Sequence, residues 1–78
     1  MQKFPITIEG FEKISAELKK LKTVDRPAII KAIAEARELG DLSENAEYQS
    51  AREKQSFIEA RISDLEDKIA RSEVIDIS

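Results

Sequence analysis

Asp41 and Glu44 are two carboxylates three residues apart, in a 78-residue chain that has no Cys and no His. That absence removes Cys and His nucleophiles, imidazole general bases and every zinc site built on thiolate or imidazole ligands. Carboxylates, Lys, Tyr and hydroxyls are what remains for chemistry. At a helix start a three-residue spacing can bring two carboxylates together where the positive end of the helix dipole attracts negative charge. Such a pair offers hard oxygen ligands to Mg²⁺, which takes six near-octahedral positions and keeps waters or partner oxygens beside one or two carboxylates. Two carboxylates on an exposed turn are an incomplete site. They hold a divalent ion weakly until another macromolecule completes the shell. The same Asp-x-x-Glu pattern also matches a capping box, and on pattern alone that structural reading is the commoner one.

Arg37 and Arg52 flank the pair, one before it and one after it. They are either ordinary solvated helix positions or contacts that meet phosphate and orient the carboxylates. Tyr48 suits packing better than base stacking. Gln55 suits the setting of register. Lys19, Lys20 and Lys22 form a small basic cluster, which is either a solvated face or a nucleic-acid contact.

The elements that must position these residues are helical. Phe4, Pro5 and Ile6 open the chain in extended form, and Thr7 is a candidate N-cap for a helix with Phe11, Ile14, Leu18 and Leu21 inward. That helix is expected to end near Thr23, with a break at Asp25, Arg26 and Pro27. A second helix from Pro27 turns Ile29, Ile30, Ile33 and Ala36 inward, and Gly40 stops it. After the turn from Gly40 to Ser43, a third helix carries Ala51, Gln55, Ile58, Ile62, Leu65 and Ile69 as an a/d seam. Asp64 with Lys68 and Asp67 with Arg71 make i,i+4 pairs on it.

Two architectures fit these helices, a compact three-helix bundle and a hairpin whose first arm bends near Pro27. Residues 8–39 and 43–72 make arms of matching length, about 45 Å each at 1.5 Å per residue. The narrow a/d stripe also suits a two-stranded coil better than a globular bundle. The expected fold is therefore all-α, a long antiparallel coiled-coil helical hairpin over residues 1–72 with an acidic tip. Residues 73–78 alternate apolar and polar types with β-branched members, a strand pattern without a partner elsewhere in the chain. They are expected to begin a further, sheet-containing domain.

A short chain buries too little for a deep internal active-site cavity. With 13 basic and 16 acidic residues, its net charge of −3 opposes nonspecific coating of nucleic acid by the whole surface, though a local basic patch remains allowed. No apolar run is long enough to span a bilayer, and the N-terminus lacks the design of a signal peptide. A cytoplasmic protein that does not engage membranes is expected.

Residues 34–48, Ala-Glu-Ala-Arg-Glu-Leu-Gly-Asp-Leu-Ser-Glu-Asn-Ala-Glu-Tyr, are more particular than a generic hairpin turn. This stretch resembles the tip of the bacterial transcript cleavage factors, the GreA and GreB family. The likeness continues through Pro5-Ile6-Thr7, Arg26-Pro27, Ala51-Arg52-Glu53, Arg61-Ile62 and Val74-Ile75-Asp76, covering nearly the whole chain. It implies a transcription elongation factor whose hairpin enters the secondary channel of bacterial RNA polymerase when the enzyme is backtracked and arrested. There the polymerase cleaves the 3′ end of its own nascent RNA and resumes elongation. The resemblance assigns Asp41 and Glu44 to the catalytic metal, a Mg²⁺ held jointly with the polymerase. It places Arg37, Arg52, Asn45 and Tyr48 near RNA or polymerase, and implies an accessory factor rather than an enzyme by itself. Full-length members carry a further domain resembling FK506-binding proteins and are expected to be monomers. The modest basic content matches the less basic branch, which implies short cleavage products. A channel-binding regulator that does not promote cleavage and a structural oligomerising coiled coil are the alternative readings.

Overall fold

The computed structural model describes residues 3–40 and 44–75. Strand β1 (Phe4–Thr7) leads into helix α1 (Ile8–Lys20), and Thr7 caps that helix by accepting the Gly10 amide at 3.0 Å. Gly10 lets the strand fold back on the first helical turn. A Cβ there would stand 3.0 Å from Ile6 Cγ1 and 3.2 Å from Thr7 Oγ1.

The first arm has no break near Thr23. It passes through a π-helical turn, Leu21–Asp25, directly into α2 (Arg26–Arg37). Pro27 has no amide to offer the carbonyl four residues back, so a regular α-helix would lose a bond there. Widening the ladder by one residue lets the Arg26 amide reach the Leu21 carbonyl instead. Thr23 Oγ1 also donates to the Lys19 carbonyl at 2.7 Å.

The return arm is α3 (Ala46–Arg71), which begins later than expected because Asn45, in extended conformation, is its cap. Tyr48, Ile58, Ile62 and Leu65 are its buried residues, with Ala51, Gln55 and Ile69 half-buried between and beyond them. The heptad stripe is thus the face turned toward the first arm. Ile62 and Leu65 are 1% and 0% exposed, and Ile29, Ile58 and Ile62 form a core against which Leu18, Leu21, Ala32, Ile33 and Ala51 pack. Phe11, Ile14, Leu18 and Leu21 are half-buried as their spacing requires. Ile30 corrects the reading of α2. It is 52% exposed, because the inward stripe runs Ile29, Ile33, Ala36 and leaves its neighbour turned about 100° aside.

Ion pairs tie the arms in a hairpin-like arrangement: Lys22 to Glu66 at 2.9 Å, Arg26 to Glu59 at 2.7 Å, and Arg61 to Glu17. Along α3 itself Lys68 meets Asp64 at 3.2 Å and Arg71 meets Asp67 at 2.8 Å.

The tail does find a partner strand, contrary to the sequence expectation. β2 (Ser72–Ile75) pairs in parallel with β1, Phe4 opposite Ser72 and Ile6 opposite Val74. The extended opening and the strand-like tail lie at opposite ends of the sequence, and the two arms bring them side by side. Pro5 is tolerated because each strand of a two-stranded sheet has a free edge. The strand pair closes one end of the molecule and the link from α2 to α3 closes the other. The whole measures 57 × 23 × 13 Å.

Candidate functional site at the link between the arms

The end of α2 sets one side of the link. Past Arg37, the Glu38 amide bonds the Glu35 carbonyl at 3.2 Å and the Leu39 amide bonds Ala36 at 3.1 Å, a tightened last turn. Gly40 then takes φ +122°, a conformation that residues with a Cβ rarely adopt, and no atom of the described residues would meet a Cβ there within 4 Å. Arg37 and Leu39 are exposed, Leu39 at 66%.

Asp41, Leu42 and Ser43 lie outside the described residues, so the geometry available for the carboxylate pair is that of Glu44. Glu44 is exposed and precedes the cap of α3. The capping-box reading of the pair turns on Asp41 and so lies outside the described residues. Asn45 caps the helix, its Oδ1 accepting the Tyr48 amide at 3.0 Å, while its own carbonyl accepts the Gln49 amide at 3.0 Å. The Asn45 amide nitrogen crosses to the other arm and donates to the Ala36 carbonyl at 2.6 Å. This bond joins the two arms, and pattern reading does not reveal it. Asn before a helical Ala-Glu-Tyr run does announce the cap itself.

Tyr48 is buried at 9% exposure and occupies the last seam position, as expected of a packing residue. Its hydroxyl accepts a hydrogen bond from Arg52 Nη1 at 3.1 Å, and the guanidinium carbon stands 5.9 Å from the ring centroid. Tyr48 and Arg52 thus form one unit. Among the described residues, neither Arg37 nor Arg52 forms an ion pair with Glu44.

Among the described residues, the shifted titrations lie in the arms. Arg61 hydrogen-bonded to Glu17, and Arg26 hydrogen-bonded to Glu59, hold those carboxyls below their ordinary value, and each guanidinium is raised in turn. These are structural pairs between the arms. Of the lysine cluster, Lys22 is engaged with Glu66, whereas Lys19 and Lys20 are exposed.

The donor chemistry near Glu44 suits a hard cation, because exposed carboxylate oxygens are the ligands Mg²⁺ prefers. Among the described residues there is no group of three or more acidic side chains arranged to hold a metal. Their helices include none long and apolar enough to cross a membrane.

The family model for the N-terminal part of transcription elongation factors, GreA_GreB_N, matches residues 4–74. Transcription elongation factor GreA of Rhodospirillum rubrum is 65% identical over 78 residues, which are 100% of this chain and 50% of that protein. Its counterpart in Hyphomonas neptunium is 64% identical over the same span, again half of that protein. GreA of Ruegeria pomeroyi is 68% identical over 76 residues, 97% of this chain and 49% of that protein. The chain spans about half the length of the curated relatives it matches. This helical hairpin, with Glu44 and Asn45 in its link and Tyr48 in the first turn of α3, is matched along residues 4–74 and belongs to the GreA and GreB family of transcription elongation factors, in its N-terminal region.

Proposed function

We propose that this chain stimulates transcript cleavage by arrested RNA polymerase, its hairpin acting as an antiparallel coiled coil, bent near Pro27, that carries an acidic tip into the secondary channel. The observation that supports this reading most is the exposed Glu44 immediately before the Asn45 cap, at the end of the molecule away from the strand pair. Identity of 59% or more to factors named for transcription elongation supports it independently.

In this reading Asp41 and Glu44 present carboxylate oxygens to a Mg²⁺ that the polymerase holds with them. Held by these carboxylates together with polymerase ligands, such an ion would supply Lewis-acid stabilisation of the charge that develops at the cleaved phosphodiester. Glu44 and Asp41 also accept hydrogen bonds from the attacking water and so orient it. Arg37, exposed at the end of α2, meets RNA phosphate. Arg52 is held by Tyr48 with donors to spare for the same role. The chain is an accessory factor in this scheme, with the nuclease activity residing in the polymerase.

The test is RNA cleavage in backtracked elongation complexes with Mg²⁺, comparing no factor, the chain, and its Asp41→Ala/Glu44→Ala variant. The expected outcome is stimulation by the parent and its loss in the variant, while the variant still competes for polymerase. Equal stimulation by both would remove the carboxylates from the mechanism.

A further inference from the structure

We propose that Asn45 is a positioning residue, which sets where the Glu44 carboxylate stands relative to both arms, rather than a contact to RNA or polymerase. The inference rests on the carboxylate reading above. Its physical basis is how the side chain is used. Oδ1 accepts the Tyr48 amide at 3.0 Å and Nδ2 donates to the Ala36 carbonyl at 2.6 Å. One rigid, planar amide is thus bonded at once to the first turn of α3 and the last turn of α2. Asn45 is half-buried, so these bonds are partly shielded from competing water.

The Ala36 carbonyl is one of the last four in α2, which lack a partner further along the helix. It takes Leu39 on one side and Asn45 on the other. Ala36 is 4% exposed, and a methyl side chain lets the second arm approach closely there. Glu44 is joined to Asn45 through a single peptide bond. Its Cα is therefore held one residue from the tie. Tyr48, buried and bonded through its amide to the same Asn45, anchors the arrangement in the seam.

Two substitutions separate the roles. Asn45→Ser keeps a side-chain oxygen for the N-cap but is too short and has no amide donor for Ala36. Asn45→Ala removes both. Because the chain has no Cys, nitroxides at Glu38→Cys and Glu47→Cys report the separation of the arms by pulsed electron resonance. The parent should give one narrow distance distribution. Asn45→Ser should broaden it with helicity retained, and an unchanged width would overturn the tie.

The functional arm measures cleavage at saturating factor. Asn45→Ser should bind polymerase within about twofold of the parent yet cleave about 10-fold or more slowly, with a higher Mg²⁺ concentration for half-maximal rate. A purely structural role would be overcome by saturation, and parental rate and Mg²⁺ dependence in Asn45→Ser would overturn the proposal. If Asp41→Ala/Glu44→Ala cleaves like the parent, the carboxylate reading itself fails. The label distances then still decide whether Asn45 joins the arms.

Discussion

Tyr48 shows how one side chain can serve packing and polarity together. Its ring fills the last position of the seam and its hydroxyl fixes Arg52. Tyr48→Phe keeps the ring and removes the acceptor, leaving a partly exposed guanidinium free to move. The expected cost is about 0.5–1.5 kcal/mol in urea unfolding, the usual net value of one hydrogen bond. A loss beyond about 3 kcal/mol would mean that the hydroxyl has partners other than Arg52. Stimulated cleavage should fall along with it if Arg52 orients substrate. The packing role of Tyr48 was legible from its place in the stripe, whereas its bond to Arg52 was not. Spacing of four allows such a pair but does not choose among rotamers.

Between elements, the arms are joined by apolar stripes and by guanidinium–carboxylate pairs. Glu17 and Glu59 are held below the ordinary glutamate value of 4.5 by Arg61 and Arg26. A carboxyl lowered in the folded state stabilises that state above its unfolded value and loses the contribution as pH falls through the folded one. The urea midpoint of the parent should therefore lose this contribution as pH falls below about 4.5. A Glu17→Gln/Glu59→Gln variant should start lower at pH 7 and lack that part of the acid decline. Parallel pH profiles for the two proteins would assign the decline to other carboxyls. Added salt should narrow the difference at pH 7, since the pairs are exposed. Seam and helices were evident in the periodicity, but the π-helical turn was not. Proline marks a lost amide, and neighbouring contacts decide whether the chain breaks or widens its ladder.

At the scale of the whole molecule, the strand pair joins residues 4–7 to 72–75 and keeps the bases of the two arms together. Gly10 is the permissive residue there, because a Cβ would already stand 3.0 Å from Ile6 Cγ1. Gly10→Val should displace Ile6 and loosen β1 at a cost of about 1–3 kcal/mol, read by thermal unfolding together with faster amide exchange at Ile6 and Val74. Unchanged exchange would show that the strands tolerate the added bulk.

Sequence alone determined the helical arms, the stripe from Ala51 to Ile69, the Thr7 cap and the stop at Gly40. Each follows from local periodicity or from the backbone preference of one residue type, which near neighbours express. Only the tertiary structure decided that Asn45 bonds Ala36, that the tail pairs with the opening strand, and that Ile30 faces outward. Parallel pairing across nearly the whole chain leaves no local mark beyond two short extended segments. It forms because the folded arms bring those ends within reach of one another. The Asn45 tie likewise depends on how closely the arms approach at Ala36, a distance set by the packing of all the turns before it.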